Sequence, residues 1–493
     1  MPIRFGSAAG RWVLAATVLG SGMAQLDATV VNVALPAIGR GLNARVGALQ
    51  LVVTGYSVTL AALILLAGTL GDRLGRRRVF ALGVVWFSLA SALCAAAPSV
   101  GVLVGARALQ GIGGALLTPG SLAIIEASFA RSDRGRAIGA WSALGGVAAA
   151  IGPLVGGWLV QAVSWRAIFL INLPLGAIVA VLAARHVPES RDETASGRLD
   201  WAGATLATAG LAGATYAMIS GPSHGLGSPP VLAAAILGAV GLVGFVAVER
   251  RIAHPMLPLD IFASRAFTAA NLVTFVVYGA LGGVFFLLVV VLQVSLGYSP
   301  VAAGAASLPV TALMLALSSR AGALAHRIGP RLPLTVGPLL IAGGMLLMTR
   351  IGPGAGYVPD ILPAMVVFGL GLAATVAPVT STVLAAADER HAGAASGVNN
   401  AVARTAGLLA VALLPPIAGL SGAAFQRPDA LAGGFHTAMI VAAALAAAGG
   451  LLALATISDN VLADRGPAEH PSSCALVDPA AALSEPRGQR RSA

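Results

Sequence analysis

Two ionisable residues with the chemistry to move a proton, Asp27 and Arg107, lie inside long apolar runs, Met23–Pro36 and Leu103–Gly114. If these runs cross a bilayer, a carboxylate at mid-depth costs about 2.5–3.5 kcal/mol on insertion scales, so it must pair, face water or stay protonated. A carboxyl that is protonated when sealed and ionised when wet can carry a proton or bind a cation. Arg107 is its obvious partner by charge. We predict a functional pair whose separation releases or accepts a proton; the alternatives are a static hydrogen bond and a permanent interhelix salt bridge.

Further polar residues in apolar runs form a second group of candidates. Glu126, near the end of its run, could take part in proton or substrate binding, or be an interfacial charge whose side chain reaches water. The side chains that could line a substrate cavity are Asn32, Gln110, Asn271, Tyr278, Gln293, Asn400 and Arg404. For each of these, interhelix packing or hydrogen bonding is the competing interpretation.

A charged loop, Gly68–Arg78, occurs between two apolar runs, and a degraded copy, Gly322–Arg331, follows 254 positions later. We predict that Asp72 pairs with a neighbouring arginine and accepts backbone N–H groups at a helix N-terminus, and so gates one side of the molecule. A solvated loop charge is the alternative. The residues of this predicted gating loop are Gly68, Asp72, Arg73, Gly75 and Arg76. His326 takes the place of Asp72 in the copy, so the second loop could be weaker or pH-sensitive.

A glycine-rich run in the fifth apolar stretch predicts close helix packing. Gly145, Gly152 and Gly156 are spaced by seven and four residues, so they share a helical face on which another backbone can approach. Pro153 removes an internal hydrogen bond and should bend this helix. Gly157 completes the pattern.

Composition excludes several classes of protein. Of 493 residues, 57% are hydrophobic and only 10% charged, so a soluble protein of this makeup would have too little polar surface. The net charge of +11 comes from arginine alone, since the chain contains no lysine. These arginines stand in short loops between apolar runs, which fits the positive-inside rule and not a nucleic-acid groove. A phosphate loop ending in Gly-Lys-Ser/Thr is therefore absent, and no His/Cys spacing is typical of a metal site.

Fourteen apolar runs are long enough to cross about 30 Å of hydrocarbon. The repeated loop, and a second echo of Asp133–Gly139 in His391–Gly397, predict two parallel six-helix repeats with two helices inserted between them. The fold class is thus an all-α integral membrane protein with 14 transmembrane helices. Its predicted parts are an N-terminal bundle (1–190), a linker with the inserted pair (191–260), a C-terminal bundle (261–457) and a disordered tail (458–493).

Arginine is concentrated in alternate loops, which places those loops, and both termini, in the cytoplasm. The first apolar run is too long and lacks a convincing cleavage site for a removed signal peptide, so we interpret it as a retained span. We expect a multi-pass protein of the cell membrane, a monomer by default. Cys94 and Cys474 are expected to be free thiols.

Several segments resemble the major facilitator superfamily, in particular its fourteen-span drug:proton antiporter branch. Gly68–Arg78 is similar to the signature between spans 2 and 3, and Arg107 with Gln110, Gly111, Gly113 and Gly114 to the proton-transfer motif of span 4. Gly145–Gly157 is similar to the antiporter motif of span 5. Leu26–Pro36 and Trp165–Pro174 are similar to signatures of spans 1 and 6 in this branch.

The resemblance implies export of hydrophobic or amphipathic drugs or antibiotics, driven by protons entering, with no cofactor other than the proton gradient. The second half lacks a clear mid-membrane carboxylate, so neutral or amphipathic compounds fit better than multiply charged cations. Two alternatives stay open: a proton symporter that takes up a small organic solute, and a membrane sensor that transports nothing. An enzyme is not expected, because no nucleophile–base pair stands out.

Overall fold

The computed structural model describes residues 3–191, 199–252, 255–387, 392–420 and 427–463. The helices of the first half are α1 (Ala8–Gly41), α2 (Val46–Leu74), α3 (Arg76–Ala96), α4 (Val100–Ser128), α5 (Arg131–Ala162), α6 (Ala167–Leu170) and α7 (Asn172–His186). The inserted pair is α8 (Trp201–His224) and α9 (Pro229–Glu249). The second half contains α10 (Arg265–Val294), α11 (Pro300–Ala305), α12 (Leu308–Ile328), α13 (Arg331–Met348), α14 (Leu362–Ala385), α15 (Ala392–Ile417), α16 (Pro428–Thr456) and α17 (Asn460–Ala463).

The predicted all-α membrane fold is confirmed. Within the described residues, 13 helical segments are long and apolar enough to cross a membrane; α6 with α7, and α11 with α12, each make one of these segments. The 32-residue helix α5 stands at the position of the remaining predicted span, and its Ile151–Ala162 part is apolar. The linker residues 192–198, the echo residue His391 and the tail from residue 464 onward lie outside the described residues.

The two copies of the charged loop have the same backbone conformation at one glycine. Gly75 separates α2 from α3 with φ of 109°, and Gly329 separates α12 from α13 with φ of 88°, a region that favours glycine. In each half, an acidic residue that follows the last long helix caps the helix that begins after the charged loop. Glu189 accepts a hydrogen bond from Arg77 N at the start of α3 at 3.1 Å, and Asp459 accepts one from Arg331 N at the start of α13 at 3.2 Å. This correspondence supports the two parallel repeats; the predicted domain bounds stay a prediction.

The two halves meet closely on the side of the molecule opposite these loops, which we call the far side. Gln50 Nε2 on α2 donates to Val411 O on α15 at 2.7 Å, and Gln293 Nε2 on α10 donates to Val33 O on α1 at 2.8 Å. At Gly157, an added Cβ would lie 2.6 Å from Pro300 O, so α5 and α11 touch backbone to backbone. The far side is therefore closed.

The inserted helices form a hairpin held by glycines. An added Cβ at Gly213 would lie 2.6 Å from Gly238 N, and one at Gly210 would lie 2.8 Å from Leu242 N, so the two backbones are in direct contact. The other side of α8 packs on α2 and α15, one helix from each half. Large apolar side chains of α9, such as Val240 and Val243, are exposed, as expected for a helix that faces lipid.

This packing predicts that Gly238→Ala destabilises the hairpin, because the new Cβ would lie 2.6 Å from Ala214 N, a backbone atom that cannot yield without separating the helices. Overpacking of this kind costs about 1–3 kcal/mol. Thermal unfolding of the detergent-purified protein measures it. The control is Gly227→Ala, in the turn between α8 and α9, where no atom lies within 4 Å. Equal stability of the two variants would contradict the packing described.

Candidate functional site

Asp27 and Arg107 lie at the centre of a buried polar cluster, which we call the Asp27 cluster. Its members are Asp27 on α1, Ser91 on α3, Arg107 and Gln110 on α4, and Asn172 at the start of α7. Each is at most 1% exposed. The Asp27 carboxylate is bonded to residues of α4 and α7, and Ser91 on α3 accepts hydrogen bonds from Gln110 and Asn172 at 3.1 and 3.0 Å. The cluster therefore joins four helices of the first half.

Glycines bring α4 close enough to build this cluster. An added Cβ at Gly113 would lie 2.7 Å from Phe87 N on α3, and one at Gly111 would overlap Tyr56 O on α2. The backbone of α4 thus touches α2 and α3 at this level. Arg107 and Gln110, one turn apart on the same helix, are held between α1, α2 and α3 as a result.

Every oxygen of the Asp27 carboxylate has a donor. Arg107 Nη1 forms an ion pair with Oδ2, while Gln110 Nε2 and Asn172 Nδ2 donate to Oδ1 at 2.8 and 3.1 Å. Arg107 also donates to Gln110 Oε1 at 2.6 Å and, from Nε, to Val52 O at 3.3 Å. Charge-assisted bonds of this kind are the strong ones, and here they are sealed from water. The predicted Asp27–Arg107 contact exists.

The Arg107 guanidinium is enclosed by aromatic rings. Its Cζ lies 4.3 Å from the ring centroid of Tyr56 and 5.9 Å from that of Phe169, which is cation–π geometry. Cys94 is buried beside the cluster, with Sγ 3.6 Å from Gln110 Oε1, as the free thiol expected from the sequence. The Tyr56 hydroxyl is buried and has no hydrogen-bond partner among the described residues. Tyr56 thus reaches from the ion pair toward the second half.

A cavity of about 330 Å³ lies between the halves, next to the Asp27 cluster. The cavity is lined by the middle of α1 and α10, the last turns of α14 and the first half of α15, so it lies toward the charged loops and away from the closed far side. Its lining includes three of the predicted substrate residues, Tyr278, Asn400 and Arg404. Gln25, Ser396 and Asn399 contribute further polar groups.

Among the described residues, Arg404 is the one charged side chain that lines this cavity. Its Nε is buried without a hydrogen-bond partner among the described residues, and none of the ion pairs there includes it. Tyr56 and Tyr278 interact electrostatically with Arg404. Tyr56 also covers Arg107, so both arginines share this residue as a neighbour in their electrostatic surroundings.

The remaining predicted cavity residues bond to backbone or to neighbouring helices. Asn271 is buried and interacts with Asn399, whose Nδ2 is 3.3 Å from Asn271 Oδ1 and 2.9 Å from Thr274 Oγ1. Asn32 donates to Ala28 O of its own helix at 3.4 Å. Gln110 belongs to the Asp27 cluster, and Gln293 to the far-side contact. None of these four is among the residues that line the cavity.

The charged loop pairs as the sequence predicts, with one difference. Asp72 Oδ1 is 2.7 Å from Arg76 Nη2, so this pair joins the last turn of α2 to the first residue of α3 across Gly75. The backbone N–H at the start of α3 is capped by Glu189 and not by Asp72, and Glu189 also lies 3.6 Å from Arg77 Nε and Arg78 Nε. The Asp72 carboxylate is instead paired with the Arg76 side chain. Arg73, Gly68 and Gly75 lie in or next to the same turn.

Glu126 is separate from the Asp27 cluster. It lies in the last turn of α4, is exposed, and is acted on by the charges of Arg76, Arg134 and Asp72. The structure thus brings it to the charged loop, at the end of its span.

Two of the three predicted packing glycines of α5 contact α1 directly beside Asp27. At Gly152, an added Cβ would overlap Thr29 and lie 3.4 Å from Leu26 O; at Gly156, it would lie 3.1 Å from Val30 Cα. Gly145 has no described atom within 4 Å of that position. The α5 helix runs unbroken through Pro153, and Gly157 makes the far-side contact with α11.

Comparison with known proteins is consistent with this architecture. Residues 17–412 match the Major Facilitator Superfamily, and the chain belongs to that family of transporters. The puromycin resistance protein of Streptomyces alboniger is 38% identical over 482 residues, covering 95% of this chain and 94% of that protein. The tetracenomycin C resistance and export protein of Streptomyces glaucescens is 34% identical over 402 residues, covering 81% and 74%.

Solved structures share the fold. The bacterial homologue of the human lysosomal transporter Spinster, in an inward-facing and unoccupied conformation, superposes with a TM-score of 0.65 at 17% identity, over 92% of this chain and 98% of that one. Members of the superfamily handle small-molecule substrates, so this chain is a multi-pass membrane transporter.

Sequence reasoning missed four residues that the structure places at functional positions: Tyr56, Ser91, Asn172 and Glu189. Asn172 stands inside a segment that resembles a family signature, and Glu189 follows a proline just after α7. Both positions could therefore have been singled out from the sequence. Tyr56 and Ser91 are ordinary residues of membrane helices. Only the packing of α2 and α3 against α4 reveals their contacts.

The sealed ion pair predicts a double-mutant signature. Arg107→Leu leaves the Asp27 charge without its partner, and Asp27→Asn does the same to Arg107, so each single change should cost about 3–5 kcal/mol of stability. The double variant should lose clearly less than the sum, because no isolated charge remains. Thermal unfolding of the four purified proteins measures this coupling. Strict additivity would show that the pair does not form.

Proposed function

We propose that this protein exports hydrophobic or amphipathic drugs or antibiotics in exchange for protons, by alternating access. The observation that carries the proposal is a sealed carboxylate–guanidinium pair in the first half, together with a cavity between the halves that lies toward the charged loops. Drug and antibiotic resistance proteins covering most of this chain support the substrate class. The driving force is the proton gradient, and no cofactor takes part. The protein works as a monomer in the cell membrane with both termini in the cytoplasm, and it is a transporter, not an enzyme.

The proton step uses the Asp27 cluster. In the present conformation the far side is closed, and substrate enters the cavity from the side of the charged loops, which we assign to the cytoplasm. Rocking of the halves opens the far side and lets a proton reach Asp27. A neutral carboxyl no longer holds Arg107 by charge, so protonation loosens the contacts that join α1 to α4. Substrate leaves outward, and reclosure returns Asp27 to its donors, which expels the proton inward.

The gradient suffices for this work. One charge crossing roughly 100 mV yields about 2.3 kcal/mol. That free energy corresponds to a substrate gradient of about fifty-fold per proton.

The decisive change is Asp27→Asn, which keeps the side-chain size and removes the proton site. In proteoliposomes loaded with a pH dye, we expect substrate addition to drive proton release from the wild type and none from Asp27→Asn. The control is Asp429→Asn, an exposed carboxylate at the start of α16, which should behave as wild type. Full proton-coupled export by Asp27→Asn, with normal pH dependence, would contradict the assignment of the proton step to Asp27. Accumulation of substrate by energised cells would indicate uptake instead, and no movement of any solute would favour a sensor.

We further propose that the ion pair of Asp72 with Arg76, and the cap by Glu189, set the preference between the two conformations. Partly exposed pairs contribute up to about 1 kcal/mol, a factor of roughly five in an equilibrium. Asp72→Asn should therefore slow export by roughly that factor and leave ligand affinity in detergent unchanged. Asp260→Asn, an exposed carboxylate between α9 and α10, is the matched control. An unchanged rate for Asp72→Asn would make this residue an ordinary solvated loop charge.

A further inference from the structure

The cavity contains a cation without a countercharge among the described residues. Arg404 Nε is buried without a partner there, and none of the described residues that line the cavity with it is acidic. Arg404 is only partly exposed, and a guanidinium held largely out of water favours contact with an anion or several acceptors, because an unpaired buried charge is costly. The buried Arg107, by contrast, is paired with the Asp27 carboxylate. The contrast between the two arginines is the observation that calls for an explanation.

The groups around Arg404 fit an acidic ligand with an apolar part. Tyr278 and Asn400 line the cavity with it and present polar groups, while Val383, Leu384 and Ala403 provide an apolar surface. A volume of about 330 Å³ is at the small end of ligand-binding cavities, so it suits a compact molecule with few rings. Planar guanidinium groups bind carboxylates and similar oxyanions with two parallel hydrogen bonds.

We propose that Arg404 binds an anionic oxygen group of the exported substrate, a carboxylate or an acidic phenol or enol on an amphipathic ring system. This inference rests on the proposed function and narrows its substrate class from amphipathic compounds in general to acidic ones. The anion supplies the missing countercharge in the loaded state. Arg404 is therefore a substrate-binding residue.

An anionic substrate changes the charge that crosses the membrane in each exchange. If an anion leaves while a proton enters, both steps carry positive charge inward, so an inside-negative membrane potential drives each of them. Export of the acidic substrate should then accelerate when an inside-negative potential is imposed at equal pH on both sides. Export of a neutral analogue should respond less, because only the proton then carries charge.

Ligand binding to the purified, detergent-solubilised protein tests the assignment without requiring transport. Three fluorescent probes share one ring system: pyrenebutyric acid, its methyl ester, and pyrenebutylamine. We expect the acid to bind more tightly than the ester and the amine. In Arg404→Gln, acid affinity should fall at least about tenfold, the loss of one charge-assisted contact, and ester affinity should stay within about threefold. Arg404→Lys should keep part of the preference for the acid, since it keeps the charge and loses the planar fork.

The matched control is Arg350→Gln, the same substitution at an exposed arginine beyond the end of α13 in the same half. It changes the net charge equally and should leave all three affinities unchanged. An unaltered melting temperature of Arg404→Gln shows that this variant is folded. If it unfolds, the affinities of the Arg404→Lys protein and the wild-type ranking of the three probes decide whether Arg404 binds the acid group. Tightest binding of the amine, or an acid preference that survives in Arg404→Gln, overturns the proposal.

The same measurements separate this inference from the proposed function. If Asp27→Asn still exchanges protons while the acid preference depends on Arg404, the proton mechanism is wrong and the anion site stands. If proton exchange depends on Asp27 but Arg404→Gln binds the acid normally, the exporter stands and the anion site does not.

Discussion

The structure depends on the cost of placing one carboxylate and one guanidinium in an apolar interior. Each charge alone is unstable there, so the surrounding helices must supply its counterpart and every remaining hydrogen bond. Asp27 receives donors from α4 and α7, and Arg107 adds a carbonyl of α2. The first half is thereby organised around one carboxylate. A change in the charge of that group weakens contacts in all of these helices together.

In the proposed mechanism, this arrangement lets a proton and a substrate exchange without meeting. The Asp27 cluster is sealed, whereas the cavity lies between the halves toward the charged loops. Tyr56 interacts with both: its ring covers Arg107, and its hydroxyl interacts electrostatically with Arg404. In the proposed mechanism, a movement of Arg107 displaces the Tyr56 ring, and that displacement alters the surroundings of Arg404. One aromatic side chain would then link the proton step to the substrate step.

The sequence was informative wherever one physical rule dominates. Apolar runs of twenty or more residues predict membrane helices because nothing else tolerates that composition, and glycine at position 75 and again at 329 marks the repeated loop. The partner of Asp27 was predictable, since few charges lie at that depth. Ser91, Asn172 and Tyr56 were not, because their types are common in helices and only the approach of α4 at Gly111 and Gly113 gives them partners. Whether Asn271 faces a cavity or a neighbouring helix depends on helix rotation, which periodicity leaves free in a helix that is apolar on all sides.

Arginine and aspartate differ in whether they can change charge, so Arg107 and Arg404 have different roles from Asp27. A guanidinium remains protonated at any pH a cell reaches, so neither Arg107 nor Arg404 can deliver a proton. Of the ion pair, only Asp27 can change its charge. Arg107 is then the fixed charge that faces Asp27, and Arg404 is a second fixed charge with no acidic partner among the described residues. In the proposed mechanism, proton transfer therefore falls to the carboxylate, and Arg404 stays charged and able to bind an anion.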